Sequence, residues 1–420
     1  MLRVVISNGH FKFILGPAAE EMSKVGILAY FITAGYPTAK VKKCISLFRV
    51  GRHKIIKRLL NREEKIPESI VRSLWLSEMV IQISLVVKKI TKKTKYSEWL
   101  DDLALRIYGH QAAKIINASD AAIYHYRSGY GHNSVRCAKQ KGMLIVCDHS
   151  IAHPATCDFL VENHGNLPVE NVSGAISRFW TGILRDVEQS DHVIVNSEFV
   201  KKTFINQGWN PEKIHVVYAG IDDEFLKVVH PREFNLNTSQ TLKILFAGDF
   251  GLRKGAESLI HALNKINDLP WQLEIVGNID RGISQRFDSF LSDERVKISG
   301  FLPRLQLAEC MSKSDIFIFP SLAEGSARVV FMAMACGCYV ITTPNSGSIV
   351  EDGVHGILVP PGDSEKLEES IRQVLTLDRN TIAQVGKKNA KDIQEGYTQA
   401  QYGKNLLKVY ERLLASKKSS

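Results

Sequence analysis

Ser314-Asp315-Ile316-Phe317-Ile318-Phe319-Pro320-Ser321-Leu322-Ala323-Glu324-Gly325-Ser326-Ala327-Arg328 runs on through Met332-Ala333-Met334-Ala335-Cys336-Gly337 to Cys338-Tyr339-Val340-Ile341-Thr342-Thr343. It reads as strand, turn, helix, strand. Ile316 to Phe319 is a short apolar run closed by Pro320, which suits a strand buried on both faces of a parallel sheet. Ala327 to Ala335 is apolar apart from Arg328, as in a buried helix, and Gly337 is its natural C-terminal stop. The turn between strand and helix holds one carboxylate, Glu324, followed by Gly325 and Ser326. Ligands of open α/β sheets lie beyond the carboxyl ends of the strands, and helix N-termini favour anions. Glu324 stands at that place.

Glu324-Gly325, the small residues after it and Ala333-Met334-Ala335-Cys336-Gly337 resemble the carboxyl-terminal signature of the family 4 retaining glycosyltransferases. The resemblance implies an α/β chain of the GT-B fold, two Rossmann-like domains facing a central cleft. It further implies that Glu324 contacts hydroxyls of a donor sugar and that the backbone of Gly325, Ser326 and Ala327 supports the sugar phosphate. The family has a second glutamate eight positions on, which holds the ribose. Here that position is Met332. A methionine on an apolar helix is ordinarily core filler.

At 420 residues the chain is long enough for two α/β domains, and with 45% hydrophobic and 23% charged residues it has ordinary globular composition. Its seven cysteines show no Cys-x-x-Cys spacing, which points away from a zinc knuckle or a disulfide framework and toward a reducing, cytoplasmic setting. Met1 to Ser7 reads as a first strand rather than a signal peptide, and the nearest membrane-span candidate, Leu74 to Val87, is short and carries Glu78 and Gln82. The net charge of +10 is concentrated between Lys40 and Lys95. One reading is a solvated basic helical insertion. Another is attraction to an anionic partner, either a phosphorylated acceptor or an anionic membrane surface on the inner face. Ile45, Phe48, Ile55, Ile56, Leu59 and Leu60 fall among the bases at helical spacing, which favours a membrane-surface helix within Val41 to Leu60. No nucleic-acid-binding module accompanies the charge, so nucleic acid is not expected as a partner.

Along the chain, residues 1–229 form the expected N-terminal, acceptor-side domain, with the basic helical insertion at about 38–108. Gly9, in the turn after the first strand, matches a family glycine that lies under the donor phosphates. Met143 to Cys147 is a strand, and the family places a histidine just past it, near the reaction centre. His149 matches best and His153 is its rival, the alternative for either being a structural role. Arg127, closing the neighbouring strand, is a candidate phosphate contact. Asn196 or Ser197 caps a helix after the strand 191–195.

Residues 230–241 are polar, aperiodic and contain Pro231, as in a linker; 242–396 form the nucleotide-sugar domain, and the helix within 397–420 crosses back onto the first. In Arg253-Lys254-Gly255 two cations precede a glycine at a helix start, a fit for a diphosphate. Arg253 also offers a cation where many relatives have an arginine and this chain has Asp249. Phe301 and Leu302 stand where the family brackets the nucleotide base, or else simply pack. Asp363 reads as the N-cap of the helix from about Lys366. No Asp-x-Asp motif is visible at a strand end, so neither metal nor cofactor is expected, the nucleoside diphosphate sugar being substrate. The implied reaction is sugar transfer to a saccharide or lipid-linked acceptor. The rival is a GT-B protein serving as a binding or scaffold partner, and an epimerase or phosphorylase on the same fold is the other enzymatic alternative.

Overall fold

Val4 and Ile6 face one side of the first strand and Val5 the other, so period-two alternation feeds two separate apolar layers. That single strand has helices on both sides. The computed structural model describes residues 2–47, 54–91, 94–163, 178–229 and 241–419. Its N-terminal sheet contains β1 (Val4–Gly9), β2 (Leu28–Thr33), β3 (Val71–Ser73), β4 (Ile123–Arg127), β5 (Leu144–His149), β6 (His192–Val195) and β7 (Ile214–Val216). The order is β3-β2-β1-β4-β5-β6-β7, all parallel. The C-terminal sheet contains β8 (Leu242–Ala247), β9 (Trp271–Val276), β10 (Val296–Gly300), β11 (Ile316–Phe319), β12 (Tyr339–Thr342) and β13 (Gly356–Leu358), in the order β10-β9-β8-β11-β12-β13, again all parallel. Strand order reverses between β1 and β4 and between β8 and β11, which makes the carboxyl ends of those strands the natural ligand crevices. The chain is α/β with the two-sheet GT-B architecture.

Three local expectations change. The segment 38–108 is not helical throughout: β3 pairs in register with β2, Phe31 opposite Val71. Three residues are too few for a periodic signal. β1 extends to Gly9 and β5 to His149, taking in polar residues that read as turn. They fit because Asp148 pairs with Arg127 at the end of the adjacent strand (2.6 Å) and Ser128 meets His149 (3.1 Å). Ile221 and Phe225, assigned by sequence to the first half, pack in the core of the second. Apart from Thr241, the expected linker lies outside the described residues, as do Phe48, Arg49, Gly51, Arg52, Lys92 and Lys93 of the basic stretch.

The two halves exchange backbone hydrogen bonds beside Gly220. Ile221 N–H donates to Tyr397 O (2.8 Å), and Gln399 N–H donates to Ile221 O (2.9 Å). A Cβ on Gly220 would sit 2.1 Å from Thr398 O, so only glycine permits this approach. The Gln399–Ser419 helix then lies on the N-terminal half, where Tyr402, Leu406, Tyr410 and Leu413 complete one of its apolar layers. Within that layer Tyr410 Oη bonds the fully buried His125 Nδ1 at 2.6 Å.

Tyr410→Phe removes this partner from a buried imidazole and is expected to lower stability by about 1–3 kcal/mol in urea unfolding; an unchanged midpoint would show that the helix is not docked through this bond. Burial also pushes the His125 pKa down from 6.5 to about 3. As pH falls from 6.5 toward 3 the unfolded chain takes up a proton that the native chain refuses, so stability declines by up to about 1.4 kcal/mol per pH unit. His125→Asn should flatten the acid limb of the stability profile relative to the natural chain by that one proton.

Candidate functional site

Gly255 has φ +76°, and a Cβ there would meet Pro320 O at 2.0 Å. This glycine lets the turn after β8 lie directly on the turn after β11. Leu322 N–H donates to Arg253 O (2.9 Å), and the Ser321 hydroxyl sits 3.0 Å from the same carbonyl. The two turns are thus laced by backbone, and their side chains converge. Arg253 Nη1 lies 2.8 Å from Glu324 Oε1 and 2.8 Å from Ala323 O. The Lys254 ammonium bonds the same Oε1, and Ser321 Oγ stands 3.1 Å away from it. One carboxylate oxygen therefore faces two cations. Lys254 is mostly buried beneath them, its ammonium 5.0 Å from the Phe319 ring centroid. Its pKa falls below the usual lysine range, mainly through burial, with the Arg253 charge adding to it and Glu324 opposing it.

Helices open at both turns. Ala256–Asn264 follows Gly255, and Arg328–Ala335 follows Ala327, each without a side-chain cap. Their first N–H groups add positive potential at the site. The Ala327 N–H itself is already engaged by Ser346 O (2.9 Å), which takes it out of the expected set of phosphate donors. Ser326 Oγ is buried with no hydrogen-bond partner.

The opposite wall comes from the N-terminal half. A Cβ on Gly325 would meet Ser150 O at 2.1 Å. Ser197 Oγ donates to Gly325 O at 2.5 Å while accepting from Val200 N–H, so the helix cap is also a bridge between the halves. Ala152 N–H reaches Glu324 O at 3.3 Å, and Ala323 packs with Ala152, Cys157 and Leu160. The Glu324 turn is held from both sides.

The remaining sequence candidates divide. His149 ends β5 and is buried; its ring and that of His153 both stand edge-on to Phe204, at 5.1 and 4.9 Å. Burial, aided by Arg127, lowers the His149 pKa to about 3, and burial lowers that of His153 to about 4, so both imidazoles are neutral at pH 7. His149 Nε2 and His153 Nδ1 are buried without partners, which leaves two polar atoms beside the Ser150–Ala152 loop for a ligand to satisfy. Arg127 is engaged by Asp148 and Ser150 and lies over the Phe13 ring, so it is not free for a phosphate. Gly9 has φ +91°, its N–H donates to Tyr108 Oη (3.0 Å), and the Tyr130 ring covers it, so a Cβ would meet that ring at 2.5 Å. Its amide is engaged in N-terminal packing. Phe301 is 83% exposed, Leu302 packs on the C-terminal core, and Met332 lies within that core. Sequence reasoning missed Ser321 and the bridging role of Ser197; a hydroxyl three residues before a turn carboxylate is the signal by which the first could have been found. Among the described residues no group of three His, Cys, Asp or Glu side chains is placed to hold a metal ion.

Comparison with known proteins gives this arrangement a family. Residues 241–377 match glycosyl transferases group 1, and residues 93–225 match glycosyltransferase family 4. An uncharacterized glycosyltransferase of Methanocaldococcus jannaschii is 24% identical over 241 residues, covering 54% of this chain and 60% of that protein. The amylovoran biosynthesis glycosyltransferase AmsK of Erwinia amylovora is 25% identical over 241 residues, 54% of this chain and 57% of its own. The similarity thus spans little more than half the length of these relatives. In three dimensions, Anabaena Alr3699/HepE, solved with UDP and glucose, superposes with a TM-score of 0.61 at 15% identity over 98% of this chain and all of that one. The two matched stretches fall one on each sheet of this fold, so the C-terminal half of the chain is similar to the group 1 glycosyl transferases and the N-terminal half to glycosyltransferase family 4.

Proposed function

We propose that the chain moves a hexosyl residue from a nucleoside diphosphate sugar to a saccharide or lipid-linked acceptor, with retention at the anomeric carbon, in surface polysaccharide or glycolipid biosynthesis. The observation that carries this reading is the convergence of Arg253 and Lys254 on one oxygen of Glu324. Arg253 and Lys254 stand between two uncapped helix N-termini, opposed by Glu324 and more weakly by Asp249, a setting that favours a dianionic leaving group. The diphosphate would take the Arg253 and Lys254 contacts, leaving Glu324 to orient the sugar hydroxyls. In the retaining step the bond from the anomeric carbon to the phosphate oxygen breaks, the acceptor oxygen bonds that carbon from the same face, and the acceptor proton passes to the departing phosphate. The neutral imidazoles of His149 and His153 offer a donor or acceptor to the sugar. UDP and glucose in the Anabaena protein, and polysaccharide assembly in the Erwinia relative, support the same substrate classes. All seven cysteines are free thiols, in keeping with a cytoplasmic setting.

Met332, buried in the C-terminal core, favours a second reading in which the fold binds without turning over. Without a carboxylate there, two charge-assisted bonds to a ribose are absent, each about 1.5–3 kcal/mol. Thermal unfolding against a panel of nucleoside diphosphates and their sugars, UDP-sugars first, separates the two. The natural chain is expected to gain about 2.7 kcal/mol from one donor at roughly a hundred times its dissociation constant, and Lys254→Ala to abolish the gain. With that donor and its acceptor, Glu324→Gln should lower turnover about a hundredfold. A shift seen only in Met332→Glu assigns the chain to the scaffold role; no shift in either sinks the donor-site assignment.

A further inference from the structure

The Trp75–Thr91 helix is amphipathic in the wrong sense for a globular core. Ser77, Glu78 and Ser84 are on its buried side with Ile81, whereas Leu76, Met79, Ile83, Val86 and Ile90 lie in one stripe that is 48% to 73% exposed. Their spacing of three and four residues keeps all five on a single face. The buried polar groups are satisfied. Ser77 Oγ lies 2.7 Å from Ala104 O and Ser84 Oγ 3.0 Å from Ser97 O, both on the neighbouring Thr94–Asn117 helix. Glu78 accepts from Gly35 N–H (3.0 Å), from both Arg62 Nη atoms (2.7 and 3.1 Å) and from Gln82 (2.8 Å). These bonds hold the apolar face outward.

The stripe has company. Trp75 and Leu85 are exposed on the same helix, and Tyr96 and Trp99, 60% and 63% exposed, stand at the start of the next. Lys88, Lys89 and Lys95 are exposed among them, with Glu98 as the exposed acid beside them. Exposed aliphatics, amphipathic aromatics and lysines together are the composition of a bilayer-interface helix. A protein-binding patch would be depleted in lysine. No helix among the described residues is long and apolar enough to cross a membrane.

We infer that this helix pair docks the chain on an anionic lipid bilayer, with the Leu76 to Ile90 stripe in the headgroup region and the lysines on lipid phosphates. This relocates the membrane-surface segment from Val41 to Leu60, where Ile45, Ile56, Leu59 and Leu60 are half-buried in the structure. The position suits an acceptor that shares the bilayer. Leu74 N–H donates to Thr33 O and Ala34 O beyond the carboxyl end of β2, and Ser77 Oγ meets His10 at 2.6 Å just past β1. The docked helix therefore begins at the rim of the cleft.

The test is co-sedimentation of the full chain with phosphatidylcholine vesicles, alone and with about 30 mol% phosphatidylglycerol. The natural chain is expected to sediment with the anionic vesicles, and less so in raised salt. The Met79→Glu, Ile83→Glu double variant changes only exposed side chains. It should keep the natural unfolding midpoint and sediment at least about tenfold less. Absence of binding to anionic vesicles, equal binding to neutral ones, or binding unaffected by the double variant each overturns the proposal. So does a natural chain that self-associates without lipid and becomes monomeric in the variant, since the face would then belong to a second copy.

Discussion

A carboxylate oxygen shared by an arginine and a lysine is the constraint on which the cleft is built. Partly burying three charges in one place is costly, and each loses hydration that its partners only partly replace. The arrangement holds because the backbone leaves the side chains few alternatives. Gly255 lies against Pro320, Leu322 and Ser321 bond Arg253 O, and Gly325 lies against Ser150. Each contact removes the space that another turn geometry would need. The two cations are then fixed in position before any ligand arrives, which is the condition under which electrostatic stabilisation is most effective.

The second requirement is that two domains keep one register while each folds around its own sheet. Two backbone passages side by side meet it. Gly220-Ile221 and Tyr397 to Gln399 exchange hydrogen bonds, and immediately afterwards Phe225 enters the C-terminal core while Tyr402 and Tyr410 enter an N-terminal layer. Each half thus contains an anchor from the other's stretch of chain. The domain border read from composition, at a polar and Pro-containing stretch, falls later than the border set by packing, because composition marks solvent exposure and not core membership.

What was legible in the sequence was short-range. Glu324-Gly325 and Arg253-Lys254-Gly255 are residue types in turns between strands, and the structure brings those two turns together. What was not legible depends on partners distant in the chain. Gly9 looked available because Tyr108, which takes its amide, is 99 residues away. Arg127 looked free because its engagement by Asp148 and Ser150 needs two adjacent strands in register. The end of β5 read as turn because Asp148 and His149 are polar, and polarity argues for solvent unless partners are known. Met332 stands out only against the family pattern; on its own helix it is one apolar residue among several.

The outward stripe of the Trp75–Thr91 helix shows the same limit from the other side. Periodicity identifies that Leu76, Met79, Ile83, Val86 and Ile90 share a face, but not whether that face is inside. Burying such side chains ordinarily gives about 1.5–3 kcal/mol each, so the natural expectation is that they face the core. Here Glu78 decides otherwise. Rotating the helix to bury the apolar stripe would carry Glu78 away from Arg62 and Gly35, leaving a guanidinium and an amide unpaired in the interior. It would also separate Ser77 and Ser84 from the carbonyls of the adjoining helix. Several buried polar bonds, each conditional on the others, outweigh the apolar gain. The fold therefore presents an apolar helical face to solvent by construction, and a large exposed apolar face on an otherwise ordinary globular protein marks a surface that meets something.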